Sequence, residues 1–337
     1  MRTPLPTRRS ALSRLWTADR LLTATGLLML AALALSAAGL VLDPRVIAGT
    51  PAWLKPAKFA ASTAIYSFTL AWVFSYLGSW PRVRRIVSWT TAGVFVLEVA
   101  IIDLQAWRGT TSHFNVSTPL DAALFTTMGT AIVAQTVVSI LAAIALWRER
   151  FADMALGWAL RLGMIITIVG AASGGMMTRP TPAQLAQVHA TGQMPTAGAH
   201  TVGAPDGGPG LPGTGWSREH GDLRIPHFVG LHAIQVLPII AFAIGRRTTI
   251  GRRRTRLVLV SAASYVGAFV LLMWQALRGQ SITAADPTSL TALAVWLGLT
   301  AAAAWLAVVP GSRLPVPRSR GSSYGSPFGV QDSSSGC

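Results

Sequence analysis

Charge and sulfur are what this chain has least of. Only 12% of its 337 residues are charged, and only 12 are acidic. A soluble domain carries about 25% charged residues, so an ordinary water-solvated globule is excluded. The one cysteine, Cys337, is the last residue. An intrachain disulfide and a paired-cysteine metal site are therefore excluded, and the ending SSGC does not fit a prenylation signal. The chain also has no G-x-S-x-G elbow, no phosphate loop and no H-E-x-x-H pair. Common hydrolase, nucleotide and zinc-protease chemistries thus have no motif to rest on, and a non-enzymatic reading leads.

What the chain has is apolar length. Hydrophobic residues make up 51% of it and mean hydropathy is +0.48. Eight runs near 21–42, 57–79, 86–107, 120–147, 154–177, 225–245, 257–278 and 288–309 each hold about 20 or more mostly apolar residues. That suffices for about 30 Å of hydrocarbon at 1.5 Å per residue. Lipid offers no partner to the backbone, so the spans are expected as helices. The first run has 22 residues, longer than a cleaved signal core of about 7–15, and is read as uncleaved.

Basic residues orient the bundle. With the N-terminus cytoplasmic, 19 arginines fall inside and eight Lys or Arg outside, Arg161 lying within a span. This bias predicts both termini inside a bacterial cytoplasmic (inner) membrane, with an even number of spans. It also accounts for the net charge of +16 without nucleic acid, for which no separate basic domain exists. The expected organisation is a basic N-terminus (1–20), a first four-helix unit (21–147), a second (154–309) and a disordered cytoplasmic tail (310–337). The second unit contains a long extracytoplasmic loop at 178–224. That loop is rich in Gly, Pro and Thr and is expected to be largely irregular, with Trp216 folding part of it back.

The two units look duplicated. "QAWRG" at 105–109 recurs as "QALRG" at 275–279. The same offset of 170 pairs Thr118 with Thr288, Leu120 with Leu290 and Pro56 with Pro226. An offset of 169 pairs Phe59 with Phe228, and Ala64–Ile65 with Ala233–Ile234. Four spans per unit is even, so the repeat is expected to be parallel.

Ionisable groups inside a membrane are costly and point to function by default. Glu98 lies nine residues before Trp107, about 13 Å inside the outer boundary. Gln105 shares its face, and Asp103 lies nearer the surface. In span 6, His232 and Gln235 lie deep and His227 one turn in. A Glu98–His232 contact is the expected proton-sensitive element, with structural hydrogen bonding as the bland alternative. Lys55, Lys58, Arg108, Arg224 and Arg278 mark outer span ends, either as snorkelling anchors or as a basic rim suited to a carboxylate, phosphate or lipid headgroup. His113, Asn115 and Asp121 fall in the span 3–4 connection. His189, His200, His220, Asp206 and Glu219 fall in the long loop, at no metal-ligand spacing. "NVS" at 115–117 fits a glycosylation acceptor, a triplet common by chance.

"PAWLKPAKFA" (51–60), "QAWRGTTSHFN" (105–115) and "DGGPGLPGTGWSREHGDLRIPHFVGLHAIQVLP" (206–238) resemble a family of bacterial eight-helix membrane proteins of uncharacterised function. The resemblance implies a fold class and a bacterial membrane, but no activity. Two four-helix halves are also similar in outline to haem A synthase, which places haem-ligating histidines in both halves. Here the first half has no histidine inside a span, so no ligands carry over.

The leading expectation is an outward-facing polar cavity that binds or translocates a small anion or lipid headgroup. Glu98, Asp103, Gln105, Arg108, His227, His232 and Gln235 would line it. The alternative is a haem b held by His227 or His232, with His113 as a further candidate ligand and the propionates on Arg108 or Lys58. A third reading is an assembly protein with no ligand.

Overall fold

The computed structural model describes residues 10–309. The expectations for the tail and for Cys337 lie outside these residues. The chain forms α1 (Ala11–Ala18), α2 (Arg20–Leu42), β1 (Val46–Ile47), β2 (Thr50–Pro51), α3 (Leu54–Phe74), α4 (Pro81–Trp107), α5 (Pro119–Arg148) and α6 (Met154–Ser173). Then follow α7 (Pro182–Thr191), β3 (Thr201–Val202), β4 (Gly221–Asp222), α8 (Arg224–Leu231), α9 (Ala233–Arg247), α10 (Gly251–Leu277) and α11 (Pro287–Val308).

Among the described residues six helices are long and apolar enough to cross a membrane: α2, α4, α5, α6 with its following turn, α10 and α11. A seventh span results if α8 and α9 are taken together. Helix α3 falls outside this set, for it carries Lys55, Lys58, Ser62, Thr63, Ser67 and Thr69 among its apolar residues. The protein is thus an all-α membrane protein, with lipid-facing side chains such as Val133, Ile239 and Leu299 exposed on its flanks.

Packing follows the chain. Helix α2 lies on α3 and α4, α3 on α4, and α4 on α5. Helix α6 lies on α8, α9 and α10, α10 lies on α8 and α9, and α11 packs on α10. Contacts of α5 with α6 join the two groups. The largest buried cluster, around Phe74, Leu146, Leu160 and Met164, sits at this junction.

Caps explain where helices start. Asp19 Oδ1 accepts from Leu22 N at 2.9 Å, while Oδ2 accepts from Ser88 Oγ at 2.6 Å, fixing the start of α2 to α4. Asp153 caps α6 through the N–H groups of Ala155 and Leu156. Pro119 and Pro287 open α5 and α11, at a position where the missing N–H costs nothing. Arg161, two turns into α6, reaches back to the end of α5. It donates to the carbonyls of Leu146 (3.1 Å) and Glu149 (2.8 Å) and closes the last turn of α5, with Phe151 and Trp158 against its guanidinium. Carbonyls at a helix end are unpaired and partly negative, so a cation suits them.

The sixth run is not one straight helix. Helices α8 and α9 meet at 53°, with His232 at the break. A break exposes backbone groups that lipid cannot satisfy. Thr167 of α6 supplies the lost bonds: its hydroxyl donates to Leu231 O (3.2 Å) and accepts from Ile234 N (3.1 Å). Tyr265 of α10 donates to Val229 O at 2.5 Å. Gly170 and Gly230 let the two backbones touch, since a Cβ on Gly170 would sit 2.4 Å from the Gly230 carbonyl carbon. Small residues at such crossings are the usual route to close helix packing in membranes.

Replacing Thr167 with Val keeps its shape and removes both bonds. Two buried backbone groups then go unpaired, at about 1–3 kcal/mol each. The melting temperature of the detergent-purified protein should fall clearly for Thr167→Val. It should hold for Thr136→Val, whose exposed hydroxyl bonds only within its own helix.

Candidate functional site

The expected basic rim divides into two groups. Arg108 and Arg278 are committed to fixing helix ends. Arg108 Nη1 pairs with Asp121 Oδ1 at 2.5 Å, and Asp121 also accepts from Gln105 Nε2 (2.9 Å) and Thr118 Oγ1 (2.6 Å). Gln105 is fully enclosed in this knot, which ties the end of α4 to the start of α5. In the same way Arg278 pairs with Asp286 at 2.5 Å, joining α10 to α11. These four side chains are bound to one another rather than offered to a ligand, and Arg108 does not stand free for a propionate.

The long loop is a packed lid. Thr181 and Gln184 form a capping box that starts α7. The same Gln184 amide holds both the N–H (3.0 Å) and the carbonyl (2.9 Å) of Gly198. Gly198 has φ +112°, and a Cβ there would lie 2.3 Å from Met177 O. The lid pairs its backbone with the α4–α5 connection at Val116–Pro195 and Phe114–Ala197. The hydroxyls of Ser281 and Thr283 donate to the lid carbonyls of Ser217 and Arg218 and seat the lid on the α10–α11 connection. Lys58 Nζ donates to Thr214 O at 2.5 Å, and Arg224, paired with Asp222 at 2.5 Å, donates to Gly215 O at 2.7 Å. Trp216 lies over Phe228, with ring centroids 6.5 Å apart. The Gly and Pro content therefore produces an irregular chain that is nonetheless fixed. Asn115 is buried and donates to Thr110 Oγ1, so the "NVS" asparagine is not presented for glycosylation.

Beneath the lid, three histidines from three elements approach one another and Lys55. His113 comes from the α4–α5 connection, His200 from the lid and His227 from α8. Each Nδ1 is engaged: His113 with Ser112 Oγ (3.0 Å), His200 with Asp206 Oδ2 (2.6 Å) and His227 with Gly170 O (2.7 Å). A carbonyl only accepts, so His227 Nδ1 carries the proton and its Nε2 the lone pair. No hydrogen bond reaches Nε2 of any of the three among the described residues. Lys55, with its neighbours Lys58, Arg224, Asp206 and Glu98, makes no hydrogen bond or ion pair of its own among these residues. Lys55 and the three histidines lie deep in the protein, yet each keeps some surface open to water. Together they bound one polar cluster beneath the lid.

Phe114 forms part of the wall. Its φ of +64° is uncommon for a bulky residue. Packing against His200 (4.7 Å) and Phe125 (5.7 Å) holds it there.

Glu98 is 2% exposed and its Oε1 has no partner among the described residues. The expected Glu98–His232 contact is not formed. The charged neighbour of Glu98 is Lys55 of α3, whereas His232 faces Gln235 and stacks on Phe228. Asp103 has a buried, unpartnered Oδ1 but no place in the cluster. Below Glu98 the buried face of α4 carries Thr91 and Ser88. No group of three or more His, Cys, Asp or Glu among the described residues is arranged to hold a metal ion. His200 and Asp206 join the cluster although their loop spacing carried no signal for it. Lys55 moves from rim to centre, and it and Lys58 are the only lysines in the chain.

No protein-family model, curated protein or solved structure matches this chain. What its helices define is a class, the multi-span α-helical membrane proteins.

Burial, with the nearby Lys55, His200 and His227, pushes the His113 ring well below its ordinary value. Burial does the same to His200, where Asp206 restores only part and Lys55 and Arg224 oppose protonation. Burial acts to raise Asp206, but bonds from the His200 ring and from the His200 and Thr201 N–H groups outweigh it and hold the carboxyl low. The folded chain thus keeps both rings neutral, while an unfolded chain protonates them below about pH 6.5. The stability they contribute is complete above that pH and is lost as pH falls below it. Hydrogen exchange in residues 193–223 should accelerate between about pH 7.5 and about pH 5, after correction for intrinsic rates. His113→Phe should reduce the acceleration.

Proposed function

We propose that this chain is an eight-span bacterial inner-membrane protein of two parallel four-helix repeats, and that it binds a small anion in the chamber beneath its extracytoplasmic lid. The repeat reading draws on matched details. Gln105 and Gln275 both donate to the carbonyl six residues on. Gly109 and Gly279 follow with φ of +74° and +73°. Pro56 and Pro226 are each the third residue of a helix that follows a strand pair. The order of helix packing is also the same in both groups. The second α-helical connection is shorter by two residues: Arg108 and Arg278 are 170 apart, Pro119 and Pro287 168. Thr118 therefore corresponds to Asp286, both N-caps, rather than to Thr288. Orientation rests on the 19-to-8 arginine and lysine bias.

Lys55 carries the functional reading. Burial and the neighbouring Arg224 and Lys58 disfavour the charged form of this amine, and it bonds to nothing among the described residues, so an anion is what would hold it as a cation. The histidine Nε2 atoms beside it add polar surface, and the lid favours a small soluble anion over a lipid headgroup. Glu98 below Lys55 is the natural acid to respond when the anion arrives or leaves.

The test is titration of the purified protein with acetate and inorganic phosphate, followed by calorimetry. Lys55→Met should weaken the preferred anion by roughly tenfold to a hundredfold, the worth of a charged hydrogen bond of about 1.5–3 kcal/mol. Arg278→Met should leave it unchanged. Equal affinity for wild type and Lys55→Met would remove the reading. No binding by either would favour an assembly protein without a ligand.

Haem b is the second reading, favoured by the engaged Nδ1 atoms, which orient an imidazole for ligation through Nε2. His113 and His227 would hold it. Protein purified from haem-replete cells should then show a Soret band that His227→Ala abolishes, and a colourless preparation contradicts this reading.

A further inference from the structure

We propose that a groove between α9 and α10, at the opposite end from the lid, is a binding site for one anionic phospholipid. This goes beyond the chamber and shares with it only the orientation, which puts the groove in the inner leaflet. The groove has a volume of about 420 Å³ and is lined by Ala243, Ile244, Arg247, Thr248, Arg253 and Leu257. That lies within the ordinary range for ligand sites, about 300–1,000 Å³.

Six arginines crowd residues 246–256, but they are not equivalent. Arg254 is structural: it pairs with Asp153 at 2.8 Å. It fits because position 245 is glycine, where a Cβ would lie 2.9 Å from its guanidinium. Arg246, Arg247 and Arg252 are all exposed, and of these only Arg247 lines the groove. Arg247 and Arg253 face the groove, and the buried Nε of Arg253 has no partner among the described residues. Helix α10 begins beside them with no side-chain cap, as Ile250 has nothing to offer. Its first N–H groups and the two guanidiniums together suit a phosphate.

Apart from Thr248 the rest of the lining is apolar, and Phe242 and Ile250 near it are exposed. A free phosphate has no use for such walls. A phosphodiester with an acyl chain uses both: its phosphate sits on Arg247 and Arg253, and the chain lies along Ala243, Ile244 and Leu257. Basic pockets between helices at the cytoplasmic face are suited to such headgroups.

The experiment is native mass spectrometry of the full-length protein with added phosphatidylglycerol, phosphatidylcholine or inorganic phosphate. Wild type should retain one phosphatidylglycerol in preference to phosphatidylcholine, and phosphate should not displace it. Arg247→Gln and Arg253→Gln should each weaken retention roughly fivefold, since a basic residue near an anionic surface contributes about 1 kcal/mol. Ala243→Phe, which fills the apolar wall and leaves every arginine in place, should weaken it as well, and serves if an arginine variant fails to fold. Arg252→Gln removes the same charge from the exposed side and should retain lipid as wild type does. Equal retention of both lipids, displacement by phosphate, or equal loss on Arg252→Gln would overturn the proposal.

Discussion

Lipid offers no hydrogen bonds, so the backbone groups this chain carries into the bilayer have to find their partners in protein. The bent sixth run depends on that constraint most directly. Without Thr167, the break at His232 would leave Leu231 O and Ile234 N unpaired against hydrocarbon. With it, the chain can turn by 53° and aim α8 at the lid. The Gly170–Gly230 contact brings α6 close enough for the Thr167 hydroxyl to reach. It also presents Gly170 O to the ring of His227. One close approach thus positions a bend, its repair and a chamber histidine.

The same constraint accounts for the lid. Lys55, Lys58 and Arg224 stand where α3 and α8 begin, too deep to be fully solvated. Lid carbonyls at Thr214 and Gly215 take up Lys58 and Arg224. Lys55 is left without such a partner. Arg108 and Arg278 have their own aspartates and hold the ends of α4 and α10. The five cations of the expected rim thus divide into two that tie helices, two that hold the lid and one, Lys55, with no bond among the described residues.

Much of the helical frame was legible because an apolar run of 20 residues has few other outcomes. Helix α3 was less so: its lysines and hydroxyls dilute the run. The break at His232 was not read, although Gly230 and Pro238 flank it; the threonine that repairs it lies on another helix, 64 residues away. Glu98 was recognised as a buried acid, but its neighbour depends on helix rotation, and Lys55 stands where a span 6 histidine was expected. His200 and Asp206 were invisible as site residues, because nothing in a Gly- and Pro-rich loop shows where it will dock. Asp121 read as a connection residue, although its bond to Arg108 is what closes the signature "QAWRG" into a structural knot.

The central claim is that Lys55 is an enclosed amine available to an anion. With only two lysines in the chain, amine-selective labelling resolved by mass spectrometry addresses it residue by residue. The account predicts slow labelling of Lys55 in the folded protein, slower still with the bound anion, and rapid labelling once the protein is denatured. Labelling of Lys55 in the folded protein as fast as in the denatured chain, with or without anion, would contradict it.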